Sequence, residues 1–358
     1  MNNFDPESLA RENIRRLTPY SSARSEFTGV ADILLDANEN SHGSPIGHGL
    51  NRYPDPAQSA IKQKIAEARD VLPSGIFVGN GSDEAIDLLF RIFCEPRRDE
   101  VIICPPTYGM YKVSAEINDI KVKEATLTSD FQLDVDNIRR QTGERTKLIF
   151  ICSPNNPTGN AMRSEDILRI VSEFSGIVVV DEAYADFSPE GSLICEIREH
   201  PNLVILQTFS KAWGLAGLRV GLAFADKRVI DLLNRVKPPY NISRIAQDAL
   251  LKAFENKDIV ADWVVETLAQ RERLAAELAR FNCVEKIYPT NANFILVKMV
   301  DAAAVYRHLA AERIVVRNRS SVELCESCLR ITVGTSFENE RLCASLARFE
   351  ERSGTPAV

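Results

Sequence analysis

The feature that most constrains the fold is a series of continuous apolar runs that alternate with helical patterns. The clearest runs are rich in Val and Ile and lie at residues 76–78, 101–104, 147–152, 176–180, 203–206 and 220–224. Runs without apolar–polar alternation are typical of strands buried on both faces of a sheet. Helical patterns between them, such as 57–70 and 164–174, supply the crossovers that parallel strands need. The chain is therefore predicted to be an α/β protein with a mostly parallel sheet.

Polar clusters follow three of these strands, at residues 155–158, 181–184 and 208–211. Ligands of open α/β sheets bind beyond the carboxyl ends of the strands, so these clusters are expected to meet in one site. The last cluster contains Lys211, and Arg219 follows it. Burial disfavours a charged amine, lowers its pKa and makes it available to attack a carbonyl. Taken alone, however, Lys211 fits a solvated surface lysine equally well.

A strand, a glycine turn and a helix start follow one another at residues 76–84. Gly81 or Ser82 can cap this helix, and free N–H groups at a helix N-terminus can hold a phosphate. An ordinary capped helix has the same pattern. Hydroxyl groups, Lys211 and Arg219 together favour a phosphorylated aldehyde as the ligand.

The other strand-end residues suit the ring of an aromatic cofactor. Asp181, if buried, can keep a ring nitrogen protonated, so that the ring takes up electrons. Tyr184 and Asn156 can hydrogen-bond a ring hydroxyl, and Tyr108 can stack on the ring face. The convergence of these side chains on one sheet edge is the strongest indication of function in the residues themselves.

Composition excludes several other classes of protein. The net charge of −7 makes nucleic acid and anionic membrane surfaces poor partners, and no apolar run approaches the ~20 residues of a membrane span. The polar start predicts a cytoplasmic protein. Cys325 and Cys328 form the only C-x-x-C pair, without a second pair at zinc spacing, so reduced thiols and no metal site are expected.

The order of patterns predicts three regions. An N-terminal arm (1–45), part of which is expected to pack with the small domain, precedes a large domain (46–250), and a smaller α+β domain (251–358) follows it. The small domain is expected to contain strands at 293–297, 314–317 and 329–333 and helices at 302–311 and 338–349, after long helices at 226–237, 244–255 and 258–281. Composition alone leaves open whether the arm packs on its own domain or reaches a partner subunit.

Four motifs carry a family resemblance: S-P-N-N-P-T-G from residue 153, D-E-A-Y from 181, S-K-A-W-G from 210 and G-L-R-V-G from 217. In this order and spacing the chain resembles the fold-type I pyridoxal-phosphate aminotransferases. Further motifs, L-T-P-Y, D-A-N-E-N, N-R-Y-P, P-P-T-Y-G-M-Y and L-R-I-T-V-G, are similar to those of the histidinol-phosphate aminotransferases within that family. The resemblance covers essentially the whole chain and implies a large domain with a mostly parallel seven-stranded sheet plus a smaller α+β domain.

The resemblance also implies the roles of individual residues. Lys211 would bind pyridoxal phosphate covalently and shuttle a proton, Asp181 would face the pyridine nitrogen, and Tyr184 and Asn156 would bond the ring hydroxyl. The implied phosphate ligands are Ser82, Asp83, Thr208, Ser210, Arg219 and, from the partner subunit of a homodimer, Tyr53. The implied substrate ligands are Tyr20, Asn38, Arg317 and Arg330. From the residues alone, Arg330 could equally face solvent, because it alternates with the apolar side chains of its strand.

The implied reaction moves an amino group between L-histidinol phosphate and 2-oxoglutarate in histidine biosynthesis. Two other enzyme functions use the same scaffold and stay open, an aromatic amino-acid aminotransferase and a threonine-phosphate decarboxylase. A cofactor-binding transcriptional regulator would need a basic helix-turn-helix segment, which this sequence does not offer.

Overall fold

A computed structural model describes residues 4–20, 32–47 and 49–353 of the chain. Parts of the predicted arm, residues 1–3 and 21–31, lie outside the described residues. The described start of the arm forms two short helices, α1 (Pro6–Leu9) and α2 (Glu12–Arg15). Arg11 donates its backbone N–H to the Ile92 carbonyl at 2.8 Å. This end of the arm therefore packs on the large sheet region.

The large sheet has seven strands: β1 (Ile76–Asn80), β2 (Glu100–Ile103), β3 (Lys121–Glu124), β4 (Thr146–Cys152), β5 (Ile177–Asp181), β6 (Leu203–Thr208) and β7 (Val220–Phe224). Their order across the sheet is β1-β7-β6-β5-β4-β2-β3. Strands β2 to β6 pair in parallel, whereas β7 is antiparallel to both of its neighbours, β1 and β6. The α/β fold with a mostly parallel seven-stranded sheet is confirmed.

Helices cover both faces of this sheet, which explains the continuous apolar strands. One face packs against α3 (Ser59–Arg69), α6 (Val135–Gln141), α7 (Ser164–Glu173) and α9 (Arg244–Phe254). The other packs against α4 (Ser82–Phe93), α5 (Met110–Ile117) and α8 (Lys227–Val236). Alternate residues of β5 enter the two cores: Val178 and Val180 point to one, Ile177 and Val179 to the other. Burial of both strand faces holds the polar strand ends in fixed positions.

The C-terminal part contains a second, antiparallel sheet of β8 (Val284–Ile287), β9 (Phe294–Met299), β10 (Arg317–Asn318) and β11 (Cys328–Thr332), in the order β10-β11-β9-β8. The helices α10 (Lys257–Leu278), α11 (Ala302–Ala311) and α12 (Ser336–Ser353) accompany it. A separate apolar core lies between these helices and the sheet. The register places Arg317 directly opposite Arg330.

The predicted strand at 314–317 is wrong for most of its length, because only Arg317 of that segment lies in β10. The Ile314 N–H donates to the Leu309 carbonyl at 2.8 Å across Arg313 at φ 62°, so Ile314 belongs to the C-terminal cap of α11 and not to a strand. Val315 is 85% exposed. The apolar character of Ile314 and Val316 reflects their packing on the small core.

Candidate active site

A cavity of about 750 Å³ lies beyond the carboxyl ends of β4, β5 and β6. It has the position that the polar strand ends predict, since Asp181 and Thr208 are the last residues of β5 and β6. The predicted residues that line it are Ser82, Asp83, Tyr108, Asn156, Asp181, Tyr184, Thr208, Ser210, Lys211, Arg219, Arg317 and Arg330. The structure thus brings together residues from both sheets.

Asp181 is fully enclosed at the bottom of the cavity, with a relative exposure of 3%. The Tyr111 hydroxyl donates to Asp181 Oδ2 at 2.9 Å, and the Ala183 N–H donates to Oδ1 at 3.1 Å. Burial raises the pKa of Asp181 to about 6, although both hydrogen bonds favour the charged form. At neutral pH the carboxylate is therefore ionised and suited to pair with a cationic ring nitrogen.

The raised pKa of Asp181 makes this residue unfavourable for stability. Its folded-state pKa of about 6 lies above the ordinary 3.8, so the folded protein holds the proton more tightly than the unfolded chain does. The free energy of unfolding is therefore not reduced by Asp181 below pH about 4, and it decreases as the pH rises from about 4 to 6 and above. A carboxylate retained at this cost is typical of a functional site.

Lys211 follows β6 in a turn that opens into the cavity. We expected a buried side chain; the residue is instead exposed to the cavity, with its Nζ 5.5 Å from the centre of the Tyr184 ring. Its pKa is nevertheless lowered, mainly by desolvation and then by the positive charge of Arg330. Both effects increase the fraction of neutral amine, which is the nucleophilic form.

The N-terminus of α4 forms one wall of the cavity. Gly81 precedes the helix at φ 74°, and no side chain caps it. The Gly81 N–H donates to the Arg219 carbonyl at 2.7 Å, which joins this turn to the start of β7. A Cβ on Gly221 would lie 2.1 Å from the Ser82 nitrogen, so only glycine permits this approach.

Hydroxyl groups and a cation surround this helix start. Thr208 Oγ1 lies 3.0 Å from Ser210 Oγ and accepts a hydrogen bond from the Ser210 N–H at 3.1 Å. Arg219 adopts φ 55° and reaches across to Asp83 Oδ2 at 3.7 Å. Backbone N–H groups, hydroxyls and a guanidinium around one point form a suitable binding site for a phosphate dianion.

Tyr108 stands between the helix start and the floor of the cavity. Its hydroxyl donates to Asp83 Oδ1 at 3.1 Å, and its ring packs edge-on against Tyr111 at 5.6 Å. The hydrogen bond fixes the ring plane beside Asp181. The arrangement is consistent with the predicted stacking of Tyr108 on an aromatic ring.

Arginines occupy the side of the cavity that the small sheet provides. Arg330 Nη1 donates to Asn156 Oδ1 at 2.5 Å, and its guanidinium lies 5.1 Å from the centre of the Phe294 ring. Arg317 pairs with Arg330 across the two strands and is exposed. The alternative that Arg330 merely faces solvent is excluded, because the residue is half-buried and lines the cavity.

Three predicted residues are not among those lining the cavity. Tyr20 is 76% exposed, and Asn38 is exposed at φ 55°. Tyr53 is 50% exposed and stacks on Tyr240 at 4.4 Å. Their assigned roles stay predictions.

Sequence reasoning missed two residues. Tyr111 holds Asp181 from helix α5, which lies far away in sequence, and its aromatic side chain looked like ordinary core packing. Arg319 lines the cavity with Arg317 and Arg330, but in the sequence it is one charge in a polar loop. The signal that could have found Arg319 is the R-x-R spacing, which places alternate residues on one face of an extended segment.

The site residues fit the cofactor that the family resemblance implies. Lys211 supplies an amine, Asp181 a buried carboxylate, and the start of α4 a phosphate-binding turn, in one cavity large enough for a small aromatic ligand. Within the described residues there is no cluster of metal-ligating side chains. In that same part of the chain, no helix has the length and hydropathy needed to span a membrane.

The fold and the site define an aminotransferase, and the family model for aminotransferase class I and II matches residues 29–346. A histidinol-phosphate aminotransferase from Cytophaga hutchinsonii is 50% identical over 339 residues, covering 95% of this chain and 97% of the relative. The chain therefore belongs to the histidinol-phosphate aminotransferase family.

Solved structures share the fold. Histidinol-phosphate aminotransferase from Sinorhizobium meliloti, in complex with pyridoxal-5'-phosphate, matches with a TM-score of 0.78 at 22% identity, covering 88% of this chain and 90% of that one. L-threonine-O-3-phosphate decarboxylase from Porphyromonas gingivalis matches with a TM-score of 0.72 at 23% identity, covering 84% and 91%. Since enzymes of different activity share this fold, fold alone does not assign the reaction.

Proposed function

We propose that the chain is a pyridoxal-phosphate-dependent aminotransferase that moves the amino group between L-histidinol phosphate and 2-oxoglutarate, giving imidazole-acetol phosphate and L-glutamate in histidine biosynthesis. The observation that supports it most is that Arg317 and Arg330 of the small sheet line the same cavity as the start of α4, which is suited to a phosphate. The cavity thus has two anion-binding ends, one for the cofactor phosphate and one for the anionic group of the substrate. The near-full-length relatives of the same family support the same substrate.

The cofactor, when bound, supplies a carbonyl that accepts the amino group and a ring that takes up the electrons of the broken Cα–H bond. Lys211 Nζ holds the cofactor and, once displaced, moves the substrate α-proton. Asp181 keeps the ring nitrogen protonated, while Tyr184 and Asn156 bond the ring hydroxyl. The backbone N–H groups of Ser82 and Asp83, together with Thr208, Ser210 and Arg219, would hold the phosphate, and Tyr108 would cover the ring face.

Both substrates use one anion site in this proposal. Glutamate presents a carboxylate and histidinol phosphate presents a phosphate, and a planar guanidinium binds either group through two parallel hydrogen bonds. Arg330 is suited to this task because Asn156 orients it and Phe294 supports its guanidinium plane. We assign Tyr20 and Asn38 to the same substrate end, where each can add a hydrogen bond.

The proposed substrate is tested by Arg317→Ala. Phosphate has more charge and more acceptor oxygens than a carboxylate, so loss of the second cation should lower kcat/KM for histidinol phosphate at least about tenfold more than for phenylalanine. The measurement is kcat/KM for both amino donors with 2-oxoglutarate, in wild type and variant. Equal losses, or a wild type that prefers phenylalanine, would instead support the aromatic aminotransferase.

We also propose a cytoplasmic homodimer, with an arm (1–45), a large domain (46–250) and a small domain (251–358) in each subunit. The supporting observation is Tyr53, whose ring lies outside its own cavity although the family motif N-R-Y-P contains it. Its loop is fixed: the Tyr53 N–H donates to Glu39 Oε1 at 2.7 Å, and Arg52 pairs with Glu39 at 2.6 Å. A hydroxyl held on an exposed loop in this way is suited to reach the phosphate in a second subunit.

Mixing the inactive variant Lys211→Ala with Tyr53→Ala, which is expected to bind the cofactor weakly, tests the shared site. Tyr53→Ala should weaken cofactor binding about tenfold, through loss of one charge-assisted hydrogen bond. If Tyr53 acts across the dimer, mixed subunits of Tyr53→Ala and Lys211→Ala contain one intact site, and activity at limiting cofactor rises after subunit exchange. No rise, with exchange verified by differently tagged subunits, would place Tyr53 outside the partner's site.

A further inference from the structure

Three arginines converge on the substrate side of the cavity, and the third of them, Arg319, has no assigned role. Arg317 lies in β10, Arg330 lies opposite it in β11, and Arg319 follows two residues after Arg317. All three line the cavity. The only side-chain hydrogen bond recorded among them in the described part of the chain is the one from Arg330 to Asn156.

The cluster lacks neutralising charge within the described residues. Burial lowers the pKa of Arg319 most, and the charges of Arg330 and Arg317 lower it further, against smaller opposing effects of Cys325 and Tyr184. Arg317 likewise lowers the pKa of Arg330. The Nε of Arg319 is buried and has no hydrogen-bond partner there. Such an arrangement opposes folding, which indicates a role in binding an anion.

The backbone holds Arg319 in place. Its N–H donates to the Cys328 carbonyl at 2.8 Å, and its own carbonyl accepts from the Val322 N–H at 2.8 Å. Cys328 is completely buried, so this end of the loop is attached to the core of the small sheet. Arg319 also lies close enough to Tyr184 that its charge opposes the rise in the pKa of that hydroxyl. The Arg319 side chain therefore lines the same cavity as Tyr184 and the other two arginines.

We propose that Arg319 is a specificity-determining residue that, together with Arg317 and Arg330, forms a three-arginine subsite for a phosphomonoester dianion. This inference rests on the proposed function, because it refines the substrate class of the same site. A carboxylate has two oxygens and one charge, which Arg330 alone can satisfy. A phosphomonoester has three terminal oxygens and up to two charges, so it can engage a third guanidinium that a carboxylate leaves without a partner.

The kinetic test uses Arg319→Gln, with Arg307→Gln as the matched control. Arg307 is an exposed arginine of α11 in the small domain and is not among the residues that line the cavity. We expect Arg319→Gln to lower kcat/KM for histidinol phosphate at least about tenfold and for glutamate less than about threefold. Arg319→Lys should recover part of the loss, because it restores the charge without the planar fork. Equal losses for both donors, or a variant that behaves like the control, would overturn the inference.

A binding test separates this inference from the proposed function. Inorganic phosphate is titrated into cofactor-loaded protein, so that the cofactor's own phosphate site is filled, and the melting temperature is followed. Wild type and Arg307→Gln should gain stability with phosphate, and Arg319→Gln should lose most of that gain. The same gain in Arg319→Gln would overturn the inference. If wild type fails to use histidinol phosphate, the proposed function fails, and this melting experiment alone decides the role of Arg319.

Discussion

We expect Lys211→Ala to lower transamination at least about 10⁴-fold and to remove the visible absorption of lysine-bound cofactor. The expectation combines two losses at one atom, since Lys211 Nζ is proposed both to attach the cofactor covalently and to move the α-proton. Proton transfer by a positioned side chain alone contributes 10²- to 10⁴-fold. In the structure Lys211 is the only lysine that lines the cavity, so within the described residues no second amine can replace it.

The measurement is the turnover of histidinol phosphate with 2-oxoglutarate, together with an absorption spectrum of the purified protein. Lys211→Arg keeps the positive charge but cannot supply a neutral amine at ordinary pH, so it should be as inactive as the alanine variant. A small primary amine added in solution should restore part of the activity of Lys211→Ala, because the shortened side chain leaves space beside Tyr184. Retained activity in either variant would contradict the assignment.

The second large effect is expected for Asp181→Asn, which should slow the reaction by about two to four powers of ten. Removing one partner of a buried ion pair costs about 3–5 kcal/mol, and each 1.4 kcal/mol changes a rate tenfold. Asparagine has nearly the shape of aspartate, and its oxygen can still accept from the Tyr111 hydroxyl. The substitution therefore removes the charge and leaves most of the surrounding packing in place.

Stability distinguishes a functional loss from a folding defect in Asp181→Asn. Because burial raises the pKa of Asp181 to about 6, the ionised carboxylate destabilises the ligand-free protein at neutral pH. We expect the variant to melt no lower than wild type at pH 7 without cofactor, and to lose its advantage at pH 4. The check is a melting curve at both pH values beside the kinetic assay. A rate loss below tenfold would mean that the carboxylate does not face the ring nitrogen.

The central strands and the site that they form could be predicted because burial constrains them on both faces. Strands β4, β5 and β6 are long apolar runs, and each ends in polar residues that have no structural reason to follow a buried strand. Asn156, Asp181 and Lys211 therefore indicated one common edge of the sheet. Because ligands of open α/β sheets bind beyond the carboxyl ends of the strands, the position of the site could be predicted without knowledge of any long-range contact.

The peripheral strands could not be predicted in the same way. Strand β3 (Lys121–Glu124) has the sequence K-V-K-E and lies at the sheet edge, half-buried or exposed throughout. Strand β8 (Val284–Ile287) is also an edge strand with two exposed charged residues. Edge strands carry charged residues that prevent pairing with further strands. Because of these charges, an edge strand lacks the apolar run by which the central strands were predicted.

Tyr111 and Arg319 were missed for a different reason. Each lies beside a residue that is distant in the chain: Tyr111 donates to Asp181, and Arg319 lines the same cavity as Tyr184. Local periodicity describes which face a side chain occupies but not which distant group it meets there. The R-x-R spacing indicates only that Arg319 shares a face with Arg317, whereas the groups that Tyr111 and Arg319 meet become known only from the sheet register and the packing of α5.

The tight joint between Gly81 and the start of β7 has a consequence for when, during synthesis, the proposed phosphate-binding turn can form. The phosphate-binding turn follows β1, near the start of the sheet in sequence, but it is held in place by Arg219 and by the close approach of Gly221. During synthesis on the ribosome, the turn therefore emerges long before the strand that supports it. A nascent chain that ends before β7 already contains Lys211 and Arg219 but lacks the Gly221 backbone that packs against Ser82. We therefore expect the cofactor to bind only to chains that have been extended past residue 221.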